Sequence, residues 1–175
     1  MLHKMITIRK ATIEDCELIA TIGKTTFLET YLVNTPKAAV EAFIEKAFAM
    51  DTLTKELRNP AIHYYIIYHS TKVAGYSKIE LNIPNQNIDA AQITKLDRFY
   101  VLKEFHGQNV GAQLFNHTIV ASKKLQQHGI WLYVWIENKR AINFYTKNNF
   151  KVVGYYDFVL SETRSNPNDV LYLEY

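Results

Sequence analysis

Hydrophobic positions recur with different periods along this chain, and the change of period divides it into helical and extended stretches. Ile6 and Ile8 alternate with polar neighbours and predict a short first strand. Thr12, followed by Glu14 and Asp15, reads as a capped helix start, and the helix is predicted to run to about Tyr31. Pro36 opens a second helical stretch, AAVEAFIEKAF, in which Val40, Phe43, Ile44 and Ala47 share one face. A shorter helix through Leu53 and Leu57 stops before Pro60.

Beyond Pro60 the period shortens to that of strands. HYYIIYH (His63 to His69), a turn at Ser70 to Lys72 and VAGYSKIELN (Val73 to Asn82) predict an antiparallel hairpin rich in β-branched and aromatic residues. After a polar loop around Pro84 to Asp89, a strand through Ile93 to Val101 leads into HGQNVGAQLFNHTIVASKKLQQHG. In that segment Leu114, Phe115, Ile119 and Leu125 mark a buried helical stripe, with Gly129 expected to close the helix. Then come a strand WLYVWI (Trp131 to Ile136), a helix over AINFYTKNN and a strand from Phe150 to about Leu160. A polar turn at Asn166 to Asn168 and a last strand VLYLEY complete the chain. The order βααββ followed by βαβαββ predicts an α/β (α+β) fold, a mixed sheet covered by helices.

Composition narrows the class. With 175 residues, 48% hydrophobic and 13% aromatic, the chain can bury one core, and no linker-like or repetitive segment divides it, so residues 1–175 read as one domain. Lys and Arg number 20 against 17 Asp and Glu, scattered along the chain, which argues against a nucleic-acid partner while suiting a phosphate-bearing ligand. Cys16 is the single cysteine, so no intramolecular disulfide is available; it reads as a buried helix thiol in a reducing, cytoplasmic protein. No stretch approaches the ~20 apolar residues of a membrane span, so no membrane partner is expected. His3, His63, His69, His106, His117 and His128 lack a ligand spacing on one helix face, so no metal is expected either.

Two segments carry candidate chemistry. In DRFYVLKEFHGQNVGAQLF, Asp97 to Phe115, a strand ends, the chain turns through Gly107 to Gly111, and a helix begins. Amides at such a helix start converge on an anion such as a pyrophosphate; the plainer reading is a tight strand-to-helix connection. In VWIENKRAINFYTKNNF, Val134 to Phe150, a strand ends at Glu137-Asn138 and a short helix carries Ala141, Phe144 and Tyr145. Phe144 reads as core, and Tyr145 either as a packed aromatic or as a residue beside the strand ends with a free hydroxyl.

Together these segments resemble the GNAT N-acetyltransferase superfamily across nearly the whole chain, most strongly from Asp97 to Gly154. The family's phosphate turn, Q/R-x-x-G-x-G/A, maps onto His106-Gly107-Gln108-Asn109-Val110-Gly111, with Ala112 following in the helix. The family pattern N-x-x-A-x-x-F-Y is matched in full by Asn138, Ala141, Phe144 and Tyr145. Two departures stand out. His106 replaces Gln or Arg, and Asn109 replaces the first motif glycine, a position that asparagine tolerates better than other side chains do.

The resemblance implies a sheet of about seven strands, bulged at the strand before the phosphate turn, and acetyl-CoA as co-substrate without a metal. It implies that the pantetheine arm pairs with backbone at Phe99, Tyr100 and Val101 and that an amide there polarises the thioester. Tyr145 takes the place of the general acid, and Asn138 both caps its helix and bonds the pantetheine arm. Asp97 falls at the offset of the base of polyamine acetyltransferases; alternation would put it on one face with Phe99 and Val101, Glu80 is the alternative, and a salt-bridged strand carboxylate is the plainer reading. Lys123, Lys124 and Lys147 are candidates for the CoA 3′-phosphate or for solvated surface.

The run LDRFYVLKEFHGQNVGAQLF, the tryptophans of WLYVW and the early TFLETY look like the bacterial spermidine/spermine acetyltransferases of the PaiA type. That implies a small amine or polyamine acceptor, for which Glu29, Glu41, Glu45 and Asp89 are candidate anionic partners. A protein N-terminus or lysine as acceptor, and a CoA-binding regulatory module, are the alternatives. Neighbouring strands of this fold also leave room for a homodimer.

Overall fold

Thr12 and Asp15 close the first helix start on themselves: the Thr12 amide donates to Asp15 Oδ2 at 2.8 Å and the Asp15 amide to the Thr12 carbonyl at 3.1 Å. The computed structural model describes residues 5–32, 35–161 and 164–175; His3 lies outside them. The elements run β1 (Ile6–Lys10), α1 (Cys16–Tyr31), α2 (Lys37–Ala47), α3 (Met50–Arg58), β2 (Ile62–His69), β3 (Lys72–Glu80) and β4 (Ile93–Val101). They continue with α4 (Val110–Lys124), β5 (Gly129–Trp135), α5 (Lys139–Lys147), β6 (Lys151–Ser161) and β7 (Arg164–Glu174). The strands form a seven-stranded mixed sheet in the order β1-β2-β3-β4-β5-β7-β6. β1–β2, β5–β7 and β6–β7 are antiparallel, while β4–β5 is parallel, with α4 as the crossover that a parallel pair requires.

By its contacts the chain divides into two compact units, Met1–Ile79 with Arg98–Ile119, and Glu80–Asp97 with Val120–Tyr175. In the first, Ile19 and Ile22 of α1 pack with Phe48, Leu53, Tyr64, Ile66 and Tyr76. Gly23 admits the Phe48 ring, because a Cβ there would meet that ring at 2.2 Å. Cys16 is buried, its Sγ 3.7 Å from Thr54 Oγ1. The α2 stripe is buried at Val40 and Ala47; Phe43 remains 43% exposed, stacked on Phe27 at 4.2 Å.

Charges inside the first unit are a feature the hydrophobic pattern conceals. Lys78 Nζ lies 2.8 Å from Glu56 Oε1, Arg98 Nη1 donates to the Tyr64 hydroxyl at 2.9 Å, and that hydroxyl bonds Glu56 Oε2. The Arg98 guanidinium also covers the Phe48 ring at 4.9 Å. Burial and the neighbouring Glu56 carboxylate push the Tyr64 phenol far above its ordinary value, although Arg98 acts the other way.

The second unit centres on Ile93, Trp131 and Val170, with Ile83 and Ile88 of the β3–β4 loop packed against them. Two boundaries differ from expectation. α4 ends at Lys124, and Gln126 takes the left-handed φ of 60° after it. Gly129 opens β5 instead of closing the helix, at a close approach where a Cβ would meet Tyr172 at 2.5 Å and the Leu173 carbonyl at 2.8 Å. Asn166 to Asn168 form no turn: they pair with Phe158, Asp157 and Tyr156 inside the long β6–β7 hairpin. Cross-strand pairing there overrides the turn preference of Asn-Pro-Asn.

Candidate active site

β4 carries polar and aromatic contacts to α4. Thr94 Oγ1 lies 2.7 Å from Ser122 Oγ of α4, and the Phe99 ring packs edge-on to Phe115 of the same helix at 6.2 Å. Lys95 points away from α4, its Nζ 2.7 Å from Asp97 Oδ1 and above the Trp131 and Tyr133 rings at 5.9 and 6.0 Å. Asp97 therefore shares a face with Lys95, its ion-pair partner. The parallel ladder to β5 pairs Ile93 with Gly129, Thr94 with Ile130 and Lys95 with Trp131.

In the first unit, β4 ends against β3. Leu102 N donates to the Ala74 carbonyl at 2.9 Å, and Gly75 makes room for the Tyr100 carbonyl, which a Cβ would approach to 2.4 Å. Phe99 and Val101 are half-buried, and the Tyr100 hydroxyl lies 3.5 Å from that of Tyr31, burial pushing the Tyr100 phenol well up. A 3₁₀ turn (Lys103–Phe105) follows, its first amide bonded to Glu29 Oε2 at 3.1 Å. His106 Nε2 then donates to the Val101 carbonyl at 2.8 Å.

Gly107 takes φ 77° and Asn109 φ 62°, and α4 starts at Val110. Asn109 thus adopts the left-handed geometry for which the motif ordinarily uses glycine. The Gln108 amide is bonded to the Phe105 carbonyl, and its side chain donates to the Glu104 carbonyl at 2.7 Å. The Val110, Gly111 and Ala112 amides fall in the first turn of α4, where no intrahelical acceptor exists.

In the second unit, Asn138 caps α5, Oδ1 accepting from the Ala141 amide at 3.2 Å. Tyr145 is the buried residue of α5, its ring 5.4 Å from Phe144 and 5.3 Å from Phe150, while Phe144 is only half-buried. The assignment of core to Phe144 is thereby reversed: the stripe that continues from Asn138 and Ala141 at helical spacing passes through Tyr145. Lys123, Lys124 and Lys147 are exposed, Lys123 lying 4.9 Å above the Tyr175 ring.

The four acceptor carboxylates do not behave as one group. Glu29 is half-buried and spends an oxygen on the Lys103 amide, Glu41 is exposed and paired with Lys37 at 3.5 Å, and Glu45 is exposed. Asp89 is exposed on the β3–β4 loop, and Glu80 is half-buried at the end of β3. Lys95, absent from the sequence-based candidates, stands two residues before Asp97, the spacing that puts side chains together on a strand. Among the described residues, no group of three or more His, Cys, Asp and Glu side chains is placed to hold a metal ion, and no helix is long and apolar enough to cross a membrane.

A sequence model of the acetyltransferase (GNAT) family matches residues 25–150. The chain is 29% identical over 149 residues to an uncharacterized N-acetyltransferase in the pepI 3′ region of Lactobacillus delbrueckii subsp. lactis, covering 85% of each. It is 28% identical over 154 residues to the spermidine N(1)-acetyltransferase of Thermoplasma acidophilum, covering 84% of this chain and 89% of that one. Its fold matches the crystal structure of the PaiA N-acetyltransferase from Thermoplasma acidophilum in complex with coenzyme A, with a TM-score of 0.78 at 23% identity, over 98% of this chain and 99% of that one.

Proposed function

This chain belongs to the acetyltransferase (GNAT) family, and we propose that it transfers the acetyl group of acetyl-CoA to a small primary amine, a polyamine foremost, in a ternary complex. The observation that carries the reading is the turn from His106 to Gly111, which adopts the left-handed geometry at Asn109 without the motif glycine. Similarity to a spermidine N(1)-acetyltransferase over 84% of the chain supports the choice of amine. The chain is read as a single catalytic domain.

On this reading the amides of Val110, Gly111 and Ala112 receive the pyrophosphate, with Gly107, Gln108 and Asn109 shaping the turn and His106 tying it to β4. Backbone at Phe99, Tyr100 and Val101 pairs with the pantetheine arm, which the Asn138 side chain also meets beside Ala141. The amine nitrogen attacks the thioester carbonyl, the C–N bond forms, and the C–S bond breaks as the carbonyl reforms. Asp97, directly or through water, takes the amine proton, which must leave because an alkylammonium with a pKa near ~10 is not a nucleophile. Tyr145 donates its phenolic proton to the departing thiolate, whose conjugate thiol has a pKa near ~8.5. Asp97 must first be released from Lys95, and the incoming ammonium is the competitor that can do so.

The test is free-thiol release from acetyl-CoA with a panel of amines, for wild type and Tyr145→Phe. We expect release that depends on spermidine and a kcat lower by about 10²-fold in the variant, within the range of general acid catalysis. Acetyl-CoA binding without release for any amine would overturn the reading.

A further inference from the structure

The second unit holds a cleft of about 250 Å³ between the loop at Pro84 to Asn87 and a strand face formed by Tyr133, Tyr156 and Val170. Tyr133 pairs directly with Val170, and Tyr156 lies opposite Asn168 two residues along β7, so these side chains project on one side. The Tyr133 and Tyr156 rings are 5.0 Å apart, and each packs on Phe158, at 5.3 and 4.5 Å.

Amides make the facing wall. The Asn85 side chain hydrogen-bonds the Tyr133 phenol, whose pKa burial pushes up while that bond and the nearby Lys95 act the other way. Asn85 Oδ1 also accepts from the backbone and side-chain amides of Asn87 at 3.0 and 3.2 Å. Gly154 beneath has no side chain because a Cβ there would meet the Asn87 amide group at 2.4 Å. The loop is fastened on both sides of its start: Trp131 Nε1 donates to the Ile83 carbonyl at 2.8 Å, and Asn82 exchanges hydrogen bonds with the Gln127 side chain at 3.1 Å. The cleft is therefore preformed.

Its lining bears no charged side chain. The ring faces and the amide oxygens of this lining attract a cation with N–H donors. The same face already holds one alkylammonium, that of Lys95 above Trp131 and Tyr133, and Asp97 offsets its charge. The Lys95 ammonium lies 2.7 Å from Asp97 Oδ1 and 6.0 Å from the centre of the Tyr133 ring, so a short methylene chain is long enough to reach from the carboxylate to the cleft.

Resting on the small-amine reading above, we propose that this cleft is an outer acceptor subsite, where the Tyr133 and Tyr156 rings hold the non-reacting ammonium of a diamine or polyamine while the reacting amine lies at Asp97. Selectivity for polyamines over monoamines then comes from Tyr133 and Tyr156, not from the carboxylates of the helices.

The experiment compares kcat/KM for spermidine and for butylamine in wild type, Tyr156→Leu and Tyr156→Phe, with calorimetric titration of spermidine into each protein. Tyr156→Leu is expected to lower the spermidine-to-butylamine ratio about tenfold through the spermidine KM, and Tyr156→Phe to restore it, since the ring face carries the attraction. An unchanged ratio in Tyr156→Leu, with spermidine still acetylated, overturns the subsite and leaves the acetyltransferase reading intact. If wild type acetylates no amine, that reading fails and the titration decides the subsite: spermidine binding weakened by Tyr156→Leu and kept by Tyr156→Phe sustains it, and equal or absent binding in all three proteins overturns it.

Discussion

His106 Nε2 lies 2.8 Å from the Val101 carbonyl oxygen, so the first residue of the phosphate turn is bonded to the last residue of β4. The motif ordinarily carries Gln or Arg at this position, and the imidazole supplies an N–H donor in their stead. Because Val101 also ends the backbone assigned to the pantetheine arm, this bond joins two parts of the proposed acetyl-CoA site.

Replacing His106 with Ala should therefore loosen the turn without touching the proton transfers. A hydrogen bond of about 1 kcal/mol corresponds to a rise of roughly fivefold in the acetyl-CoA KM, with kcat retained. His106→Gln should recover most of the affinity. Steady-state kinetics with acetyl-CoA varied would show it, and a fall in kcat at constant KM would contradict it.

Asn109, at φ 62°, is where side-chain identity governs the turn. Asn109→Gly should keep both the fold and acetyl-CoA binding, since glycine carries no Cβ penalty. Asn109→Val should lose about 1–2 kcal/mol of stability, read from the urea midpoint, and should weaken acetyl-CoA binding in the same titration. Equal behaviour of the two variants would show that the backbone relaxes freely there.

Asn109 also shows how far the sequence could be read. A positive φ leaves a mark in residue type, so the turn, the cap at Asn138 and the strand-helix order were all legible beforehand. The ion pair of Lys95 with Asp97 leaves a weaker mark, since a spacing of two puts both on one strand face without showing that they pair. Gly129 and the Asn166 to Asn168 run misled for a related reason, since a glycine needed for close strand approach looks like a helix stop and a polar strand looks like a turn. Glu56, Lys78 and Arg98 lie far apart in the chain and each resembles a surface charge, so only the fold brings them into one buried group.

That group makes a further prediction. Glu56→Ala deprives Lys78 and Arg98 of the carboxylate they share, and breaking a buried pair typically costs about 3–5 kcal/mol. The 16% exposure of the Glu56 side chain puts the expected loss nearer ~2–3 kcal/mol. The double variant Glu56→Ala with Lys78→Met should lose less than the sum of the single losses, because the ammonium no longer stays buried without that partner. Urea denaturation of the four proteins measures the coupling, and strict additivity would argue that the network has no cooperative worth.

Asp15 ties stability to acid. Hydrogen bonds from Arg9, at 2.6 and 2.7 Å, hold its carboxyl below the ordinary 3.8, against the opposing effect of burial, and the Thr12 amide adds to the lowering. A carboxylate whose folded pKa is depressed stabilises the protein fully above the unfolded value, near pH 4, and loses that contribution as pH falls towards the folded one. Asp15→Asn should consequently melt below wild type at pH 7, and the difference should shrink as pH is lowered from 4 to 2. Thermal melts across that range provide the check, and a difference that stays constant, or widens in acid, would refute the assignment of this pH dependence to Asp15.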